Sequence, residues 1–523
     1  MRLIAAISNR IRSLGPAEDG YTMIATVGAV ALISTLAAAA LAATNGDINL
    51  VQRDLDRKQA HAAAQAGIAD YSFHLNNNNG YWTDCDEVDE PNAVNQVGST
   101  ERRRKLSGGG SEYAIELLPA NDAEECDPEA PGATMLEQEG TVAGSFRIRS
   151  TGFAGDAQVS LIATYKRTSL LDFIYFTQLE TSDPVTYTDS DTVAHAKVQC
   201  VKFRREGRES VNLNDYGAPC RRIVFVTGDE IRGPLHTNDD LAICGTPKFG
   251  RGPTDVIEVT APPQGWIDGG CSSPSGASPV FNGPLVTTAD KLEPPPTNAK
   301  LKDIAGASYT FKCVTTIELN GDEMEIDSRS FDGTKPFPPS GVIYIDNGSS
   351  SSCSGWSSCP AAYSPFTASY STSTKCGTAM VKGDYESDLT IAAANDIIVM
   401  DDLEQTEDGQ GILGLIANNF VRVWHPCGSG NVGLTIDAAI LSIDHSFIVD
   451  HYDCGSSLGT LTVNGAISQK FRGPVGTTGG TGYIKNYNYD DRLRYMEPPS
   501  FLDPIKPSWH IERETLDFPD VFG

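Results

Sequence analysis

Residues 17–75 read AEDGYTMIATVGAVALISTLAAAALAATNGDINLVQRDLDRKQAHAAAQAGIADYSFHL, and the change of pattern within this stretch decides the architecture. Between Asp19 and Asp47 no charged residue occurs, and the uncharged run Tyr21 to Thr44 is dominated by Ala, Leu, Ile and Val. As a helix that run would measure roughly 36 Å, against a hydrocarbon core of about 30 Å, so residues 21–44 are expected to span a membrane. Arg2, Arg10 and Arg12 precede it, which places that end in the cytoplasm and everything after residue 44 outside. Beyond the apolar run, Ile48, Val51, Leu55, Ala62, Ala66, Ala69 and Phe73 recur at helical spacing, with Arg53, Asp54, Asp56, Arg57 and Lys58 between them. This predicts one long helix over 21–75, transmembrane then amphipathic, with an interruption expected at Asn45-Gly46 and an end at Asn76 to Gly80. The stripe is expected to lie on a globular domain.

The rest of the chain is acidic and cysteine-bearing. Over 523 residues, Lys and Arg number 40 against 68 Asp and Glu, a net charge of −28 that repels nucleic acid over most of the surface. All twelve cysteines lie beyond residue 84, so an exported, oxidised body is expected to begin where the helix ends. Disulfide candidates are Cys85 with Cys126 and, without assigned partners, Cys200, Cys220, Cys244, Cys271, Cys427 and Cys454. Gly/Ser-rich residues 348–377 carry Cys353, Cys359 and Cys376 and also need covalent ties.

Past the helix, residues 113–118, 145–149 and 158–165 alternate as strands separated by Gly, Asp and Pro, predicting a small antiparallel sheet within residues 81–180. From about residue 221 the rhythm becomes short apolar triplets, among them 223–225, 241–243, 389–391, 397–399, 421–423, 434–436, 447–449 and 461–463. Many short strands between Gly, Asp, Asn and Ser turns fit a β-solenoid over 185–523, with a β-sandwich as the competing architecture. The fold class is therefore α+β, mainly β.

The residues Gly20-Tyr21-Thr22-Met23-Ile24, after a basic leader and before an apolar helix, resemble the type IV prepilins. That resemblance implies a leader over residues 1–20, cleavage after Gly20 by a prepilin peptidase and N-methylation of Tyr21. It also implies a pilin-like sheet on the helix, and other pilin-like subunits as partners. Major pilins usually carry Glu at the fifth mature position, where this chain has Ala25. A carboxylate inside a bilayer costs about 3 kcal/mol and is retained for pairing with a neighbour, so Ala25 argues for a minor role. The stretch Arg57 to Ala66 is similar to the helix of X-type minor pilins, which commonly have Glu where Gln65 stands. Residues 233–239, 414–419, 464–467, 472–475, 489–493 and 498–501 are similar to stretches of large bacterial proteins with such N-termini.

The expected function is thus that of a non-enzymatic minor pilin or pseudopilin in a type IV pilus-like or type II secretion-like filament. It would be single-pass in the inner or plasma membrane, with its body at the cell surface and an unidentified surface ligand. The alternative is a membrane-anchored adhesin or carbohydrate-binding module outside any filament. Competing chemistry is weak in the sequence. Gly455-Ser-Ser457-Leu-Gly459 has nucleophile-elbow spacing, but a strand follows where a helix is required. No cofactor is expected; Asp84, Asp86 and Asp89 are the calcium candidates, in a loop that reads first as solvated acid. The basic islands 102–105 and Lys202, Arg204, Arg205 and Arg208 are read as surface charge, with nucleic acid disfavoured.

Overall fold

The computed structural model describes residues 21–78, 80–83, 103–107, 110–124, 126–127, 134–137, 145–187, 190–208, 220–269, 276–348, 353, 377–406, 409–427, 433–477, 479–494, 496–505 and 509–517. Helix α1 (Tyr21–Asn77) is 57 residues long, roughly 86 Å, and runs without a break through Asn45-Gly46. One glycine in a long helix costs only about 1 kcal/mol, too little to interrupt it.

The second half of α1 lies on an antiparallel sheet of β1 (Arg104–Lys105), β2 (Glu112–Leu118), β3 (Ser145–Ala154) and β4 (Ala157–Arg167). A fifth strand, Trp509–Asp517, pairs antiparallel with β4. This corrects the assignment of all residues after 185 to the large β region. The C-terminal strand returns because Trp509 fills the aromatic core of the small sheet, its ring 4.7 Å from that of Phe146. Tyr175–Leu179, in a stretch expected to leave the small sheet, joins the large one.

The large region is a coil of short parallel strands. Along one side the order is Thr310–Lys312, Val342–Asp346, Leu389–Ala393, Leu413–Ala417, then the ends of Leu434–Ser442 and Ser457–Phe471. Next on that side come Tyr175–Leu179, Leu235–Thr237, Ile257–Val259 and Leu285–Val286. Register partners lie 24 residues apart at Leu389 and Leu413, 25 at Leu415 and Ile440, and 27 at Ile440 and Ile467. Successive turns therefore stack like on like, and the inward Ile, Leu and Val of each bury against the next. The antiparallel strands Glu323–Ser328 and Phe331–Pro336 pair outward from Thr315–Gly321.

This order gives the coil a seam. The chain enters at Tyr175, winds outward to Val286, reappears at the far end at Thr310 and winds back to Tyr489. Turns 310–489 and 175–286 thus meet side by side, with Ser457–Phe471 against Tyr175–Leu179 and Gly482–Tyr489 against Glu230–Arg232.

Disulfides join Cys200 to Cys220, Cys313 to Cys353 and Cys427 to Cys454. Cys126 and Cys244 are also disulfide-bonded, whereas Cys85 and Cys271 fall outside the described residues. Cys313, absent from the sequence candidates, ties the Gly/Ser-rich stretch through Cys353.

Candidate functional site: the long helix and the sheet beneath it

The face by which α1 docks is not the stripe read from the sequence. The buried residues are Ala60, Ala63, Ala64, Ile68, Tyr71 and Leu75. Val51 is 68% exposed, Leu55 46% and Phe73 63%, and Ala62 and Ala69 are exposed with them. The sequence reading chose the bulkier periodic residues; the sheet chose the smaller ones, because close approach of backbones leaves room for little else. Gly152 of β3 shows the constraint: a Cβ there would sit 2.0 Å from the Ala60 carbonyl oxygen and 2.5 Å from the Ala64 nitrogen. Gly67 of α1 is equally confined, 2.2 Å from the Ser150 hydroxyl by the same construction.

Hydroxyl groups from the sheet tie into the helix backbone. Ser150 Oγ donates to the Ala64 carbonyl at 2.8 Å, and the Tyr165 hydroxyl donates to the Ile68 carbonyl at 3.0 Å. Ser72 Oγ lies 2.7 Å from the Tyr165 hydroxyl. Burial, eased by that contact with Ser72, pushes the Tyr165 phenol up to about 12, so it stays a donor through the physiological range. Tyr71, Phe146, Tyr165 and Trp82 pack as one aromatic cluster, Phe146 and Tyr165 stacked at 5.3 Å. Arg104 pairs with Asp70 of α1, and Arg149 bridges Glu116 at 3.0 Å and Asp517 at 2.6 Å, fastening the C-terminal strand.

Over residues 23–39, where the side chains of the first half of α1 are described, no such contacts with the sheet are made. Met23, Ile24, Val27, Val30, Leu32, Ile33 and Leu36 are all exposed, on every side of the helix. Side chains are described over residues 23–39 of this half, and among the described residues no helix is long and apolar enough to cross a membrane. The proposed processing residue Gly20 lies outside the described residues, and Tyr21 opens the helix. Asp84, Asp86 and Asp89 also lie outside, and among the described residues no group of His, Cys, Asp and Glu could hold a metal ion.

The other sequence candidates resolve into structural roles. In the basic island 202–208, Arg204 and Arg205 pair with Asp240, at 3.3 and 3.0 Å, and Arg208 pairs with buried Asp239. Lys202 donates to Gln199 at 2.9 Å, so the cations of this island make contacts within the chain. Ser457 begins a fifteen-residue strand, not a strand-to-helix elbow, and its Oγ accepts from the Gly459 amide at 3.2 Å. Two histidines of the coil are also engaged, His425 Nδ1 with the Asp450 carbonyl and His445 Nδ1 with the Asp183 carboxylate.

Sequence reading gave no sign of the cavity of about 550 Å³ between the small sheet and the coil. Lys166, His510 and Glu512 line it from the sheet, and His236, Glu258 and Arg494 from the coil. His236 is held from both sides, Nδ1 2.9 Å from Glu258 and Nε2 3.1 Å from Asn238 Oδ1, which also accepts from the Leu292 amide. The cavity's lining runs from Lys166 to Glu512, so it depends on the return of the C-terminal strand.

No family model matches the sequence, and no curated protein matches it. Among solved structures, the chain is similar to the competence-associated pilin ComZ from Thermus thermophilus, at 14% identity and a TM-score of 0.27, over 88% of this chain and 98% of that one. At so low a score the two overall shapes differ, and nothing is carried from one to the other.

Proposed function

We propose that the chain is a pilin-like subunit, whose helix α1 stores it in a membrane and then packs among the helices of a filament, with the coil displayed as its surface. The observation that carries this is the division of α1. One face of its second half is seated on the small sheet through Ala60, Ala64 and Ile68, while Val51, Leu55 and Phe73 stay exposed beside an apolar first half. A helix apolar all round needs an apolar environment, and a second apolar face on a docked helix needs a partner. The uncharged run 21–44 supports residence in a bilayer, and Gly20-Tyr21 supports removal of residues 1–20 by a prepilin peptidase with methylation of the new terminus. Ala25 supports low copy number in place of a repeating major subunit. The 24- to 27-residue repeat of parallel register supports reading the coil as a β-solenoid, an extended and rigid display surface. The role is structural and not enzymatic.

Shearing cells tests this. The protein should appear with sheared filaments, and the double substitution Leu55→Glu, Phe73→Glu should lower that fraction by about tenfold or more, since unpaired charge in an apolar interface costs at least ~1.4 kcal/mol. Circular dichroism of the body should be unchanged. Recovery of the unaltered protein with membranes alone would instead support an anchored adhesin.

A further inference from the structure

Among the described residues, the seam of the coil is the junction where the chain does not pass directly from turn to turn. Everywhere else a turn is held to the next by the polypeptide itself; residues 467–471 and 175–179 meet only laterally. The disulfides with both partners described stay on one side of it, Cys200 with Cys220 within 175–286 and the other two within 310–489. Acid–base pairs cross instead. Arg472 meets Glu180 at 3.0 Å, Lys485 meets Asp229 at 2.8 Å and His445 meets Asp183 at 2.7 Å, in these three with the acid on the entering turns, while Arg251 of the entering turns meets Asp491 at 2.7 Å in the opposite sense.

The Lys485–Asp229 pair differs from the others in having a primary amine at a carboxyl group. The Lys485 side chain is 10% exposed and that of Asp229 1%. Asp229 Oδ2 accepts from Lys485 Nζ and also from the Val226 amide at 2.9 Å. Lys485 Nζ lies 5.8 Å from the Phe225 ring centroid, and the Arg472 guanidinium stacks on the same ring at 3.4 Å. Burial pulls the Lys485 amine below its usual range; Asp229 opposes this and Arg472 adds to it. Both residues line a cavity of about 300 Å³ at the seam, which gives a small leaving molecule an exit.

We propose that Lys485 and Asp229 form an intramolecular amide that closes the seam covalently. Proton transfer within the hydrogen bond converts ammonium and carboxylate into amine and carboxylic acid, the pair that can react. The proton lands on Oδ2, which also accepts from the Val226 N–H; Nζ then attacks Cγ, and the negative charge of the tetrahedral state falls on Oδ1. The N–C bond forms, the C–Oδ2 bond breaks, and Oδ2 leaves as water with the carboxyl proton and one proton from nitrogen, Oδ1 remaining as the amide oxygen. No oxidant, reductant or further reactant is needed. Holding the two groups in contact replaces a bimolecular encounter with a unimolecular one. The product is a neutral amide in place of two charges kept from water.

Trypsin digestion of the folded, full-length protein, followed by mass spectrometry after reduction and alkylation, tests it. The expected product is the peptide 223–232 joined to 473–492, lighter by one water than the two combined and uncut after Lys485. The linear peptides 223–232 and 473–485 should fall by an order of magnitude relative to other tryptic products. Recovery of those two linear peptides at full mass and full yield means an ion pair only and overturns the proposal. Lys485→Arg keeps the charge and removes the nucleophile, so it should yield unjoined peptides from a body with unaltered circular dichroism. A joined product in that variant would also overturn the assignment. If the variant fails to fold, the joined or linear peptides of the unaltered protein decide the matter alone.

Discussion

The contact between α1 and its sheet and the seam of the coil are both junctions between segments distant in sequence, yet they are built mainly from different materials. The helix contact uses Ala60, Ala64, Gly67 and Gly152, with neutral hydroxyls reaching backbone carbonyls and its one named ion pair, Arg104 with Asp70, only partly buried. The seam uses buried charge: Arg472 with Glu180, Lys485 with Asp229, His445 with Asp183. Small residues let surfaces approach closely but barely discriminate one register from the next. Charges cost desolvation and do discriminate, because a slip by one turn leaves an ion unpaired. A coil whose turns resemble one another needs that discrimination where no chain connection fixes the order. The helix, already fixed by its aromatic cluster, does not.

The largest way to break this comparison is at Glu180. Its side chain is fully buried against Arg472, whose other nitrogen Nη2 makes no hydrogen bond, so Glu180→Ala strands a buried cation. Losing one partner of a buried pair costs about 3–5 kcal/mol. Amide hydrogen exchange should show protection falling in 175–179 and 467–471 by that amount, while 60–75 of α1 is unchanged. Equal loss in both places would mean the seam and the helix contact are a single cooperative unit.

Next in size is Gly152→Val. The added atoms meet backbone of Ala60 and Ala64, which has no rotamer to yield, so helix and sheet must separate; overpacking of this kind costs about 2–3 kcal/mol. Limited proteolysis should cut α1 between residues 60 and 75 in the variant and leave the coil intact. Unaltered resistance would show that the close approach is dispensable.

The two junctions were unequally legible in the sequence. A long helix was plain from the uncharged run and the periodicity after it, and β-rich character from the apolar triplets. Which face of α1 docks was not, because Val51, Leu55 and Phe73 stand out as the hydrophobic stripe while the buried face is largely alanine and glycine. Hydrophobicity identifies faces that want a partner, and here the more hydrophobic face is the one left open. The seam was invisible: Glu180 and Arg472 are 292 positions apart, and nothing local marks a turn as first or last. Trp509 and Arg149–Asp517 were missed for the same reason, since a lone terminal strand carries no sign of the sheet it joins. Local patterns specify elements; the pairing of distant elements depends on shape and charge that meet only after folding.

The smallest effect is a pH dependence confined to the seam. His445 stacks on Phe420 at 4.5 Å with its Nδ1 2.7 Å from Asp183, whose other oxygen accepts from the Val185 amide. Burial alone would pull the imidazolium down, but the Asp183 charge and hydrogen bond, with Asp396 and Asp444 farther off, outweigh it and hold His445 above its ordinary value. The folded protein therefore binds this proton more tightly than the unfolded chain does. The stabilisation is complete below the unfolded value of about 6.5 and is lost as pH rises through the raised folded value. The urea midpoint of the coil should accordingly decline over that window, and His445→Gln should flatten the decline. The α1 contact, whose Tyr165 does not titrate until about 12, should hold constant across the same range. A midpoint that rises with pH there, or an unchanged slope in the variant, would remove His445 from the seam's account and leave the other two pairs to carry its specificity.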